Sequence, residues 1–156
     1  MTGGARTLAA MLLAALSLAL AAPARAMIAC SIHSAAGPNF GRYHLLSSAP
    51  NDSAGLLEFR CDGVEPGDAI RIELDRGNSN SFQRFMRQNR SRIRYNLYLD
   101  AARTRIWGDG TRGTGVHQVR PPDGIAVSLP IYGRIPARQN VQPGPYTDHV
   151  VLTILY

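Results

Sequence analysis

The chain has 156 residues, 45% of them hydrophobic and 18% charged, with 15 glycines, 10 prolines, 2 cysteines and a formal charge of +6 at pH 7. That is material for one domain with a real core, and the mildly basic balance excludes an acidic or polybasic tail as the working part. All 17 basic residues are Arg, a usage that coding composition explains more cheaply than dedicated phosphate or carboxylate recognition.

Read in chain order, the first segment is a leader. Arg6 precedes an apolar stretch over 8–22, followed by Pro23 and the small-residue tripeptide Ala24-Arg25-Ala26, the three parts of a secretory signal peptide. Its 15 residues fall short of the roughly 20 that a spanning helix needs. The expectation is cleavage after Ala26, giving a signal peptide over 1–26 and a mature domain over 27–156. Export then governs Cys30 and Cys61, because pairing is the default in an oxidising compartment. Such a bridge contributes about 3 to 4 kcal/mol in the chain-entropy model.

The mature chain carries strand signals and almost no helix signals. Apolar or alternating runs fall at 28–33, 56–61, 69–74, 93–99, 125–132 and 146–156. Turn chemistry separates them, at Gly37-Pro38-Asn39, Pro50-Asn51-Asp52, Glu65-Pro66-Gly67-Asp68, Gly108-Asp109-Gly110, Pro121-Pro122-Asp123-Gly124 and Gln142-Pro143-Gly144-Pro145. Short strands spaced in this way predict a β-sandwich. In the third run Arg71, Glu73 and Asp75 alternate with Ile70, Ile72 and Leu74, giving one wet and one dry face. The last run is apolar on both: Val150, Leu152, Ile154 and Tyr156 on one side, Val151, Thr153 and Leu155 on the other. It is expected inside a sheet, since an exposed apolar edge invites pairing with another chain. With no later segment to cover it, an earlier strand or a second molecule must do so.

Phe40-Gly41-Arg42-Tyr43, Arg84-Phe85-Met86, Tyr95-Asn96-Leu97-Tyr98-Leu99-Asp100, Trp107-Gly108-Asp109-Gly110, Tyr132-Gly133-Arg134-Ile135-Pro136 and the closing Tyr146-Thr147-Asp148 together resemble the spore coat protein U domain. That family includes subunits of archaic, Csu-type chaperone-usher pili, and the resemblance runs over essentially the whole mature chain. It implies an incomplete immunoglobulin-like β-sandwich lacking its final strand, with an apolar groove beside the C-terminal strand that accepts a donor strand. It also implies a periplasmic chaperone, an outer-membrane usher and a neighbouring pilin subunit as partners. On this chain Val150, Leu152, Ile154 and Tyr156 would form one groove wall and meet the chaperone, with the Tyr156 carboxylate as its anchor. The implied route runs through the periplasm to the cell surface, a fimbrium or an extracellular coat.

The chain departs from the pattern of polymerising subunits at one place. Only Met27, Ile28 and Ala29 would precede Cys30, whereas a donor strand needs about ten residues. Such a subunit accepts a strand and hardly donates one, which suits the distal end of a fibre or a coat protein without extended fibres.

The remaining constellations carry little chemistry. His33, His44, His117 and His149 have no ligand spacing with each other or with the cysteines, and no catalytic motif or phosphate-binding loop is present. No enzyme activity, cofactor or metal is expected. The second functional reading is an adhesin or binding module contacting glycans or anionic surfaces. Its candidates are Arg84, Arg87 and Arg90 in the Arg-rich run and Trp107, although a loop or strand edge for the run and internal packing for the indole are the plainer expectations.

Overall fold

A computed structural model of the chain describes residues 27–156; the signal peptide expected over 1–26 lies outside the described residues. Among the described residues there is no helix. Nine strands run β1 (Ala29–Ala36), β2 (Asn51–Asp62), β3 (Ile70–Leu74), β4 (Phe85–Gln88), β5 (Ser91–Arg94), β6 (Asn96–Tyr98), β7 (His117–Val119), β8 (Ala126–Ile135) and β9 (Leu152–Leu155). They form a four-stranded sheet in the order β1-β2-β8-β6, a three-stranded sheet in the order β7-β3-β9, and the separate hairpin β4-β5. All ladders are antiparallel.

Alternation builds the core. Leu57, Phe59 and Cys61 of β2 and Ile131 and Ile135 of β8 point inward from one sheet, and Ile70, Ile72 and Leu74 of β3 from the other; all are buried in one cluster. Two apolar faces thus close on each other as a sandwich of immunoglobulin-like layout. Cys30 and Cys61 stand directly opposite in the β1-β2 ladder and are joined as a disulfide.

Local sequence misplaced several boundaries. Asn51 and Asp52 lie within β2 rather than in a turn, because their pairing with Ile135 and Arg134, and the Arg134 to Asp52 ion pair at 2.7 Å, outweigh their turn preference. The run 93–99 breaks at Tyr95 into β5 and β6, which join different sheets. Of the run 146–156 only Leu152–Leu155 is a strand, preceded by a bridge from Thr147 to Arg87.

Candidate strand-acceptor edge

The apolar pattern leaves open whether an earlier strand or a second molecule covers the last strand, and the structure shows no covering strand of the described chain. β9 pairs with β3 alone, in the register Leu74↔Leu152, Glu73↔Thr153, Ile72↔Ile154 and Arg71↔Leu155, and it ends its sheet. Among the described residues no strand lies on its other side.

The register also shows which backbone groups face outward. Asp75 donates its N–H to Val151 O at 3.0 Å, so positions 75 and 151 face each other as a bonded pair, with the Asp75 carboxylate in place of its carbonyl as acceptor for Val151 N. Alternation along an antiparallel ladder then makes 73/153 and 71/155 the bonded pairs and 74/152 and 72/154 the open ones. Consistently, Leu74 sends its N–H the other way, to Gly108 O at 3.2 Å. The N–H and C=O groups of Leu152 and Ile154 therefore point at the vacant side of β9.

Side chains supply the apolar half of the site. Val150, Leu152 and Ile154 are partly buried and pack on the core. Tyr156, placed with them by parity, is 64% exposed: it lies past the last paired position, Leu155, and nothing draws its ring inward. Val151 and Leu155 on the opposite face are 60% and 45% exposed. The edge of the other sheet is also thinly covered. Apart from Cys30, every residue of β1 is exposed, Ile32 to 47%, although a strand in a finished sandwich buries one face. The two sheets thus each end in a strand with less packing than its sequence is built for.

Arg84 and Trp107 hold this edge from inside. Both are fully buried, at 0% exposure, which corrects their nomination as surface contacts. The Arg84 guanidinium donates from Nε to Asp75 O at 3.0 Å, from Nη1 to Asn96 Oδ1 at 2.8 Å, and from Nη2 to Trp107 O at 2.8 Å and again to Asp75 O. Its burial lowers its pKa against the pull of Tyr95, Asp75, Asp148 and Asp109. Asp75 in turn accepts at Oδ1 from Val151 N at 2.9 Å. The Trp107 indole donates to Ile72 O at 3.0 Å. A cation thus fixes Asp75, Asp75 fixes the start of β9, and the indole fixes the strand that β9 pairs with. Nothing in the sequence near Arg84 signals this, because its acceptors are two main-chain carbonyls and one amide distant along the chain. Arg87 and Arg90 are exposed, as the reading of a strand edge requires.

Residues 15–153 match the family model described as Spore Coat Protein U domain. A stretch of 64 residues is 41% identical to Protein U of Myxococcus xanthus, covering 41% of this chain and 34% of that protein; the chain thus matches about a third of that relative's length. The fold superposes on a chain of the crystal structure of the CsuC-CsuE chaperone-tip adhesion subunit pre-assembly complex from archaic chaperone-usher Csu pili of Acinetobacter baumannii. The TM-score is 0.60 at 18% identity, over 83% of this chain and 40% of that chain. At this identity the likeness is one of fold.

Proposed function

Since the chain belongs to the spore coat protein U domain family, we propose that it is a structural subunit of a surface fibre or coat, completed by a β-strand from another polypeptide. The observation that carries this reading is the state of β9: side chains packed on the core, and two residues' worth of backbone donors and acceptors turned toward an unpaired edge. An incoming extended segment supplies the missing hydrogen bonds and covers the apolar wall, which is β-strand addition. In the proposed route a signal peptide over 1–26 is removed, a periplasmic chaperone lends the strand first, an outer-membrane usher receives the complex, and a neighbouring subunit replaces the chaperone. Only Met27, Ile28 and Ala29 would then precede Cys30, which supports a terminal position that accepts a strand without passing one on.

The experiment is to export the full chain with and without its chaperone and to measure recovery and melting. The chain alone should be degraded or aggregated. With a donor peptide at a hundred times its Kd it should gain about 2.7 kcal/mol of stability. Ile154→Pro sharpens the test. The Ile154 N–H faces the vacant side, so proline leaves the β3 ladder intact while removing a donor that the incoming strand needs; capture of the peptide should be lost. A chain that is a monomer on its own, unfolds cooperatively and gains nothing from any donor strand would overturn the reading.

A further inference from the structure

The β4-β5 hairpin has two faces of opposite chemistry. Met86 and Ile93 are paired across it and turn inward to the core, where both line a cleft of about 730 Å³. Alternation then puts Phe85, Arg87, Arg92 and Arg94 on the outer face. The three arginines are exposed, as is Arg90 in the connecting turn. Residues 76–99 contain no Asp or Glu. Among the described residues none of these four guanidinium groups joins an ion pair.

Arg87 and Arg92 are direct cross-strand partners, a placement in which like charges repel. The Phe85 ring holds them there, with the Arg87 guanidinium carbon 4.9 Å and that of Arg92 4.7 Å from its centroid. A ring quadrupole attracts cations at such distances. The Cβ atoms of Arg87 and Arg92 thus stand about 5 Å apart across the ladder, with that of Arg94 about 7 Å further along β5, and one ring gathers the first two guanidinium groups. Arg87 Nη2 makes one long hydrogen bond, to Asn78 O at 3.5 Å, and its remaining donors, like the forks of Arg92 and Arg94, face solvent.

We propose that this outer face binds an acidic polysaccharide, a chain of sugars bearing carboxylate or sulfate groups. Each guanidinium fork takes one such group bidentately, and the repeating charges of a polymer suit several separated cations better than a single small anion does. The Phe85 ring is occupied by guanidinium groups, so it offers no open platform for stacking nucleobases. No side chain on this face is apolar and exposed, so nothing here inserts into lipid. The surface is distinct from the β9 edge and does not depend on strand acceptance.

The test is retention of the full exported chain, recovered together with its chaperone or a donor peptide, on immobilised polygalacturonate at about 50 mM salt, where screening is weak. Arg87→Ser/Arg92→Ser/Arg94→Ser should lose at least tenfold in affinity with an unchanged melting temperature. The charge-matched Arg60→Ser/Arg112→Asn/Arg120→Ser should keep most of it. Arg87→Lys/Arg92→Lys retains the charge without the planar fork and should fall between. Equal losses in the two triple variants would reduce the effect to net charge and overturn the proposal. So would tighter hairpin-dependent binding to phosphatidylglycerol vesicles or to single-stranded DNA than to polygalacturonate, each of which would assign the face to another partner.

Discussion

Replacing Arg84 by Met keeps the length and apolar stem of the side chain and removes only the guanidinium. Asp75 O and Trp107 O are then left inside without their donor, at about 1 to 3 kcal/mol for each unsatisfied acceptor, while Asn96 Oδ1 loses one of two donors and keeps the Leu97 N–H at 3.0 Å. Removing the cation also relieves its own desolvation, the reason its pKa is lowered, so the net loss is set at about 3 kcal/mol. That is roughly a hundredfold in the folded-to-unfolded ratio and a drop of roughly 10 °C in Tm for a domain of this size. Trp107 is the single tryptophan and is fully buried, so its emission in a urea titration of the chain complemented with a tryptophan-free donor peptide, the form used for every stability comparison below, reports the transition, with far-UV circular dichroism as a second probe. Arg90→Met, at an exposed turn, should stay within about 0.5 kcal/mol of wild type. Arg84→Lys keeps the charge but lacks the planar fork, and should recover less than half of the loss. If Arg84→Met and Arg90→Met unfold at the same urea concentration, the buried cation is not what fixes Asp75 and β9.

Reduction of the Cys30–Cys61 bridge, or Cys30→Ser/Cys61→Ser, opens a loop with a sequence separation of 31 and should cost about 3 to 4 kcal/mol, read as a shift of the urea midpoint with and without reductant. His117 is held below its ordinary pKa of 6.5 by burial and then by Arg105, with its ring edge-on to Trp107 at 4.5 Å and Nε2 unpartnered. The unfolded chain therefore binds the extra proton, so this contribution is present above the ordinary value and is lost as pH falls below it; His117→Gln should flatten the decline in urea midpoint over that acid range. A Cβ at Gly55 would stand 2.1 Å from Ala36 O, so Gly55→Ala should separate the end of β1 from β2 and cost about 1 to 3 kcal/mol, visible as a lower Tm. An unchanged Tm would mean that this close approach is not tight.

The sandwich was legible because its signals are local. Ile70, Ile72 and Leu74 alternate with Arg71 and Glu73 in the sequence, and in the structure they divide into buried and outward sets. Turn clusters mark most of the intervening loops. What stayed hidden depends on partners distant along the chain. Three residues, His117 to Val119, form β7 only because Ile70 to Ile72 lie beside them. Phe85 to Gln88 form β4 through a hairpin whose turn, Asn89-Arg90, has neither Gly nor Pro, with Asn89 itself at a φ of 50°. At the candidate site, the apolar parity of Val150, Leu152 and Ile154 could be read directly, whereas the edge position of β9 could not, since periodicity reports which face is buried and not how many neighbours a strand has. The Arg-rich run divided for the same reason: charge alone cannot separate Arg84, which meets carbonyls inside, from Arg87, which meets solvent.

The cross-strand disulfide ties down a strand that packing does not. Because β1 buries almost none of its surface, a single column of backbone hydrogen bonds to β2 retains it, and such a ribbon frays readily in water. The bond between Cys30 and Cys61 removes the peeled states from the ensemble, so covalent chemistry does for this margin of the sandwich what an apolar face does for the strands inside it.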